Sequence, residues 1–432
     1  MFGWPLGHVA VAAAGGVLAL SGAAAPANSP HPGNATSTWW RVAAMFGAQH
    51  GQAELTSISA PSAQDAWATG FAVLPTEFGV SALIRHWTGQ TWQVVALPAG
   101  VARTWNNASP ILAQIGATSP ANVWIFNGIL SGPARYLRFD GKHWSIRTLP
   151  SGARNSSPDV LITSAKVFSP TDVWAFGMKQ YGSQGPTYPY AAHFNGKSWA
   201  IVPVPGPGAI TSVSGFSPAD LWAVTGCVTT QQIAPCVTSS VLHWTARSGW
   251  RRAPVQPKVP GGADFSSVVA ERGGALMVGG EVPNSADGTT PLSATWDKKA
   301  WTVTELPITA SWDRWGLAEL VANGSGVWGV TAAGNVAGHQ LWHLVGTTWT
   351  KVSPGFGWHV WQLGGLTAIP GAPAIWAAGA IRYGGSVKAM VALQGSSASV
   401  SPVHHAKHSK STSVKRVTTV KHSKPVKRSQ HR

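Results

Sequence analysis

The chain has 432 residues, of which only 11% are charged, and it contains 49 Gly and 31 Pro. This composition argues against a mainly helical protein, because Gly and Pro are the two weakest helix formers, and it favours short strands joined by turns. The net charge is +16, but residues 396–432 contribute nine Lys and Arg and no acid, so the remainder carries only +7. The basic excess therefore describes a tail and says little about the folded part.

The first 27 residues have the pattern of an export signal. Their apolar run, residues 9–20, is too short to span a bilayer as a helix, and Ala25-Pro26-Ala27 offers a small-x-small cleavage site. The residues before the run contain no Lys or Arg, which leaves an upstream start or an uncleaved anchor open. We predict a signal peptide over 1–27, a linker over 28–36 and an extracellular or cell-envelope location.

A repeated unit occupies residues 37–395. Two copies, residues 162–205 and 210–254, share a Ser-Pro-x-Asp turn, an apolar-Trp-Ala segment, a variable loop, a His-aromatic pair and a second Trp strand that ends in Pro, and the pattern recurs along the chain. The first position of the repeat, spaced by 48 to 57 residues, is occupied by Trp67, Trp124, Trp174, Trp222, Leu276, Trp328 and Trp376. The second Trp falls at Trp92, Trp144, Trp199, Trp250, Trp301 and Trp349. Self-similarity at such a period is typical of propellers and other repeat folds.

Each unit is predicted to form four strands, A to D. The dipeptides Asp140-Gly141 and Asn195-Gly196 between strands C and D are strong hairpin signals, because they tolerate positive φ. We interpret the repeated Trp as core residues that fill the space between neighbouring units. The recurring histidines, interpreted as packing and hydrogen-bonding residues because one position per unit keeps them apart, are His86, His193, His243 and His343.

The number of half-units predicts a closed ring. The chain has seven first halves but only six second halves downstream of them, and the seventh unit stops near Gly395. Residues 37–42 (STWWRV) resemble the missing last strand, and closure would remove exposed sheet edges. We therefore predict an all-β, seven-bladed β-propeller over 37–395, closed by an N-terminal strand that completes the last blade.

The two cysteines, Cys227 and Cys236, stand close together in the B–C loop of the fourth unit. An isolated nearby pair in an exported chain indicates one local disulfide, and two free buried thiols are the alternative. No His or further Cys neighbours them, so we expect neither a metal site nor a cofactor.

The unit resembles the kelch and galactose-oxidase-like propeller repeats and, more loosely, the Asp-box repeats. Its fifth copy is nearest, since Gly279-Gly280 after strand B and Trp301 in strand D match the kelch pattern. The SPxDVWA-type segments also look like repeats of secreted bacterial propellers. This resemblance implies the fold and carries almost no information about activity. Neither the copper site of galactose oxidase nor the arginine triad of sialidases has a counterpart here.

Aromatic residues outside the repeat pattern are the candidate ligand contacts. The B–C and D–A connections are long and variable, and binding usually resides on such loops of a rigid scaffold. Exposed aromatics with polar neighbours suit stacking on sugar rings or capture of a peptide, whereas the alternative is that they plug the channel or pack under loops. The candidates are Trp105, Trp312, Asp313, Arg314, Trp315, Trp358, His359 and Tyr190.

No catalytic residue is predicted, because the chain has only 15 Asp and Glu, several of them in turns, and none of the common catalytic motifs. We expect a monomeric, non-enzymatic extracellular binding or scaffold protein that recognises carbohydrate or cell-envelope glycan through its variable loops. A hydrolase or lyase that acts on extracellular glycan, with acids such as Glu281 or Asp313, is one alternative. A structural platform for protein–protein interaction is the other.

The segment 396–432 is rich in Lys, His and Ser and has no hydrophobic periodicity. Such a composition predicts a disordered tail. Its charge suits anionic cell-wall polymer, a membrane surface or nucleic acid, with binding that weakens as salt rises. A segment that only improves solubility is the alternative.

Overall fold

The computed structural model describes residues 40–47, 51–73, 79–107, 113–127, 133–152, 158–182, 186–226, 239–271, 274–284, 288–308, 315–333, 339–354 and 360–395. Of Trp315, Ala333, Val360 and Trp361 it describes the backbone only. The predicted signal peptide, the linker, both cysteines and the basic tail lie outside these ranges. Within them, no helix is long and apolar enough to cross a membrane.

The described chain forms seven antiparallel sheets of four strands each, the blades, and one short helix. The first strand, β1 (Trp40–Phe46), belongs to the last blade. Blade one is β2 (Ala53–Ser62), β3 (Asp65–Val73), β4 (Val80–Trp87) and β5 (Trp92–Val94), followed by α1 (Ala99–Asn107). Blade two is β6 (Gln114–Ser119), β7 (Asn122–Phe126), β8 (Arg135–Phe139) and β9 (Trp144–Thr148); blade three is β10 (Asp159–Ser169), β11 (Asp172–Gln180), β12 (Thr187–Phe194) and β13 (Trp199–Ile201).

Blades four to seven repeat this order of strands A to D. Blade four is β14 (Ala209–Ser217), β15 (Asp220–Gly226), β16 (Ser240–Thr245) and β17 (Gly249–Arg252); blade five is β18 (Asp264–Ala270), β19 (Leu276–Pro283), β20 (Thr289–Trp296) and β21 (Trp301–Glu305). Blade six is β22 (Trp315–Asn323), β23 (Gly326–Ala333), β24 (Gln340–Val345) and β25 (Thr348–Val352); blade seven is β26 (Val360–Ala368), β27 (Ile375–Tyr383), β28 (Ser386–Gln394) and β1.

The N-terminal strand closes the ring, as the count of half-units predicted. Strand β1 pairs antiparallel with β28, with Trp40 opposite Gln394 and Met45 opposite Met390. The indole of Trp40 is buried and meets that of Trp328 in blade six edge-to-face at 5.5 Å. The first strands of neighbouring blades contact one another all the way round, so they form the inner wall of the propeller.

The hydrophobic core is divided among the seven interfaces between neighbouring blades, with one cluster at each. The first Trp of the repeat is almost fully buried in five of the blades, which confirms that it is a packing residue. In blade five the prediction of Leu276 was wrong by one residue. Leu276 pairs with Trp296, as Ala66 pairs with Trp87, so Met277 occupies the position of the repeated Trp.

The recurring histidines connect the repeated Trp to the turn between strands A and B. Nε2 of His86 donates a hydrogen bond to Oδ1 of Asp65 at 2.8 Å, and its ring stacks on Trp67 at 3.9 Å. The same arrangement joins His193 to Asp172 and Trp174, and His243 to Asp220 and Trp222. These histidines therefore have the packing and hydrogen-bonding role that was predicted for them.

Hydroxyl groups at a β-bulge of strand A join neighbouring blades. The Oγ1 of Thr211 in β14 donates to the Phe265 carbonyl of the next blade at 3.0 Å, and Ser266 Oγ donates to the Leu317 carbonyl at 2.9 Å. Thr56 and Thr163 make the equivalent bonds from blades one and three. A bulge leaves one residue out of the ladder, and here that residue supplies a polar contact across the inner wall.

Candidate functional site

The B–C and D–A connections of the blades emerge on one side of the propeller, which we call the loop face. The structure describes two D–A connections there in full, residues 202–208 and 253–263. The short A–B and C–D turns lie on the opposite side, where Asp140 and Asn195 accept backbone amide hydrogen bonds within their own turns.

Most of the predicted contact residues cannot be placed. Trp312, Asp313, Arg314, Trp358 and His359 lie outside the described residues, and Trp315 starts β22 without a described side chain.

Trp105 and Tyr190 are described, and both side chains are buried between blades. Trp105 lies on α1, is 0% exposed and packs in the cluster between blades one and two. Tyr190 is 1% exposed, packs between blades two and three and donates its hydroxyl to the Pro150 carbonyl at 2.8 Å. Burial raises the pKa of Tyr190. The structure does not bring these two residues together, and neither ring offers a face to a ligand.

A pocket of about 590 Å³ opens on the loop face at blade three. Two tyrosines form its aromatic side: Tyr181 and Tyr188 are 37% and 43% exposed, and their rings meet edge-to-face at 6.3 Å and 74°. The remaining lining is mostly apolar and consists of Pro186, Pro189, Ile201, Val202, Pro203 and Val204, together with Lys179 and Gly206. We call this site the blade-three pocket. It is an open depression rather than an enclosed cavity, with a mostly apolar wall and few polar groups.

Strand register explains why one tyrosine is exposed and another is buried. Tyr188 pairs with Lys179, and Tyr190 pairs with Gly177, in the ladder between β11 and β12. Directly opposed residues of antiparallel strands project to the same side of the sheet, so Tyr188 and Lys179 lie side by side. Tyr190 lies two residues further into the blade, at the interface, while Tyr188 stays at the rim.

The wall of the pocket is held in place by its backbone. Val202 N donates to the Ala191 carbonyl at 2.9 Å, and Gly208 N donates to the Thr187 carbonyl at 3.3 Å, so both ends of the connection 202–208 are tied to β12. This connection reads VPVPGPG and contains three prolines, whose rings restrict φ. A wall of this kind is largely preorganised for a ligand.

Acidic side chains near the loop-face ends of the strands are buried and mostly hydrogen-bonded. Asp264 Oδ1 accepts from Ser239 Oγ at 3.0 Å, and Glu281 Oε2 accepts from Thr289 Oγ1 at 2.9 Å. Glu54 on β2 is 6% exposed, and burial raises its pKa to about 8. A carboxyl group with this pKa is mainly neutral at pH 7, so Glu54 contributes little negative charge there.

Two charged residues on the inner wall influence each other's pKa. Lys166 lies on β10 in blade three and Glu319 on β22 in blade six. Burial raises the pKa of Glu319 to about 7, against the opposing effects of Lys166 and of the Leu366 amide. Burial lowers the pKa of Lys166, and the Glu319 charge opposes this. Each of these two residues therefore lies within the electrostatic influence of the other.

Within the described ranges, no group of three or more His, Cys, Asp and Glu side chains could hold a metal ion. Of the three tyrosines in and beside the third B–C connection, the sequence analysis selected Tyr190, whereas Tyr181 and Tyr188 line the pocket. The sequence does contain a signal for exposed tyrosines here. The segment from Tyr181 to Tyr190 reads YGSQGPTYPY, in which the tyrosines stand among Gly, Pro and polar residues rather than in an apolar strand pattern.

No known family model matches the sequence, and no curated protein matches it. Several solved structures are similar. They include YCF48 bound to D1 peptide (15% identity, 86% of this chain and 98% of that chain, TM-score 0.47) and an ulvan lyase of polysaccharide lyase family PL25 (12%, 81% and 95%, TM-score 0.49). A fucose-specific lectin from Aleuria aurantia is a third (11%, 71% and 98%, TM-score 0.40). Such low identities and TM-scores concern general architecture alone and say nothing of ligand or activity.

Proposed function

We propose that this protein is an extracellular glycan-binding protein that takes its ligand in the blade-three pocket and does not turn it over. One observation carries the proposal, namely two half-exposed tyrosines that form a corner over a wall of Pro, Val and Ile. The apolar C–H face of a sugar ring packs well on aromatic rings, while the phenol hydroxyls remain available for sugar hydroxyls.

The surroundings of the pocket favour binding over hydrolysis. The described residues of its lining contribute two tyrosine hydroxyls and one ammonium group but no carboxylate. Hydrolysis of a glycosidic bond generally needs two carboxyl groups that flank it at a defined separation. We therefore propose a lectin-like role, and we regard turnover and capture of a protein as the competing outcomes of the test below.

The test is a glycan array probed with the full-length protein and two variants. We expect Tyr188→Ala to weaken binding at least about ten-fold, because central aromatic contacts commonly contribute more than about 1.4 kcal/mol to an interface. Tyr383→Ala is the matched control, since Tyr383 is 42% exposed but lies on blade seven. Product analysis of each bound glycan is run in parallel.

Loss of binding in Tyr188→Ala but not in Tyr383→Ala, with no product formed, supports the proposal. Release of new reducing ends or unsaturated sugars would replace it with a hydrolase or lyase. Equal binding by the natural protein and both variants would show that the glycan does not bind in the blade-three pocket. Absence of binding to every glycan on the array would favour a protein ligand.

The other parts of the proposal rest on sequence. Export follows from the pattern of residues 1–27, one disulfide from Cys227 and Cys236, and attachment to anionic envelope polymer from the nine Lys and Arg of 396–432. We also propose that the blades are kelch-like repeats and that the protein acts as a monomer. Retention on teichoic acid or another polyanion that does not fall as salt rises would contradict the electrostatic role of the tail.

A further inference from the structure

The charge in the blade-three pocket indicates which glycans it takes. Among the described residues of the lining, Lys179 alone is charged. It is half-buried beside Tyr188, its partner in the strand ladder. Among the residues that the structure describes, Lys179 has neither an ion pair nor a side-chain hydrogen bond.

An ammonium group without a counter-ion among the described residues favours an anionic ligand. The described lining provides no carboxylate that would compete with the acid group of a ligand for this charge. Interactions between charges are also stronger near a protein surface than in bulk water, since the effective dielectric constant is lower. Hydrogen bonds between ionised partners are about twice as strong as neutral ones.

We propose that the blade-three pocket selects acidic sugars, with a uronate carboxylate on the Lys179 ammonium and the pyranose ring against Tyr181 and Tyr188. This inference rests on the proposed glycan-binding function and adds the ligand class. The geometry supports it because Lys179 and Tyr188 project from paired positions on the same side of the sheet. One pyranose can therefore contact the aromatic ring and present its acid group to the ammonium at the same time.

The pocket has to be separated from the tail, which also attracts anions. Residues 396–432 carry nine positive charges in every full-length variant, so their contribution is the same in all of them. Lys197 supplies a matched control because it is an exposed Lys of the same blade, located in the C–D turn on the side opposite the loop face. The variants Lys179→Met and Lys197→Met thus have the same net charge. They differ only in whether the positive charge is removed from the loop face of blade three or from the opposite side.

The experiment measures the affinity of oligomers of galacturonate, alginate and hyaluronan, each paired with its carboxyl-reduced neutral counterpart, for the full-length protein in moderate salt. We expect at least one acidic oligomer to bind about ten-fold or more tightly than its neutral partner. Lys179→Met should lower its affinity to the level of the neutral partner, whereas Lys197→Met should leave it unchanged. Tyr188→Ala should weaken the acidic and the neutral oligomer together.

The remaining outcomes overturn the inference in distinguishable ways. Equal affinity for acidic and neutral members of each pair, lost in Tyr188→Ala but kept in Lys179→Met, refutes the acidic preference and leaves glycan binding in place. Acidic binding that neither variant reduces and that high salt abolishes assigns the effect to the tail. Failure of every acidic and neutral oligomer to bind removes the inference and, together with a silent array, the proposed function.

Discussion

The buried carboxyl of Glu54 makes stability depend on pH. Glu54 is 6% exposed on the innermost strand of blade one, and burial raises its pKa from 4.5 to about 8. Below pH 4.5 the group is neutral in the folded and the unfolded chain. As the pH rises towards 8, the unfolded chain releases a proton that the folded chain retains, so the free energy of unfolding falls across this window.

The magnitude follows from the size of the shift. One pKa unit corresponds to about 1.36 kcal/mol, so a change from 4.5 to about 8 corresponds to a loss of about 5 kcal/mol by pH 8 and above. The variant Glu54→Gln keeps the shape of the neutral acid and cannot ionise. We therefore expect Glu54→Gln to gain up to about 5 kcal/mol relative to the natural protein between about pH 4.5 and pH 9.

Urea-induced unfolding, followed by tryptophan fluorescence at several pH values in that range, measures this difference. Glu305→Gln is the control, because Glu305 is exposed at the end of β21 and should show no comparable dependence. A difference between Glu54→Gln and the natural protein that stays constant with pH would refute the reasoning. It would mean that the Glu54 carboxyl is not isolated from solvent or charge in the folded protein.

Two further predictions concern the ring. Trp40→Ala should lower the free energy of unfolding by about 3–5 kcal/mol, because it removes a buried indole that packs on Trp328. The control, Val94→Ala on the exposed outer strand of blade one, should change this free energy by less than about 1 kcal/mol. Equal effects of the two variants in thermal unfolding would contradict closure by β1. Thr211→Val should lower the free energy of unfolding by about 1 kcal/mol, because it removes the hydrogen bond to the Phe265 carbonyl. An unchanged unfolding midpoint for Thr211→Val would show that the bulge hydroxyl contributes nothing to blade contact.

Sequence reasoning predicted the architecture well because its signals are local and repeated. The spacing of the repeated Trp, the Gly-containing hairpin turns and the missing half-unit together predicted seven blades and the pairing of β1 with β28. One error, Leu276 in place of Met277, arose in the blade where the repeated Trp is absent and only the ladder register identifies the position.

The candidate contacts were less predictable. The aromatic residues Trp105 and Tyr190 were chosen because they stand outside the repeat, yet α1 and the interface of blades two and three bury them. A loop aromatic looks the same in sequence whether it packs under the loop or faces solvent. The difference depends on contacts with residues from neighbouring blades, which no local pattern contains.

By itself, the sequence determined the blade number, the closing strand and the packing role of the repeated Trp and His. It could do so because the spacing of the repeated residues and the turn residues are local features of each unit. Only the tertiary structure decided which tyrosines line the blade-three pocket and that Glu54 lies in an environment that raises its pKa. The lining of the pocket comes from three separate strands and two connections, and the burial of Glu54 depends on contacts from distant parts of the chain. Such properties emerge only when the blades are packed together.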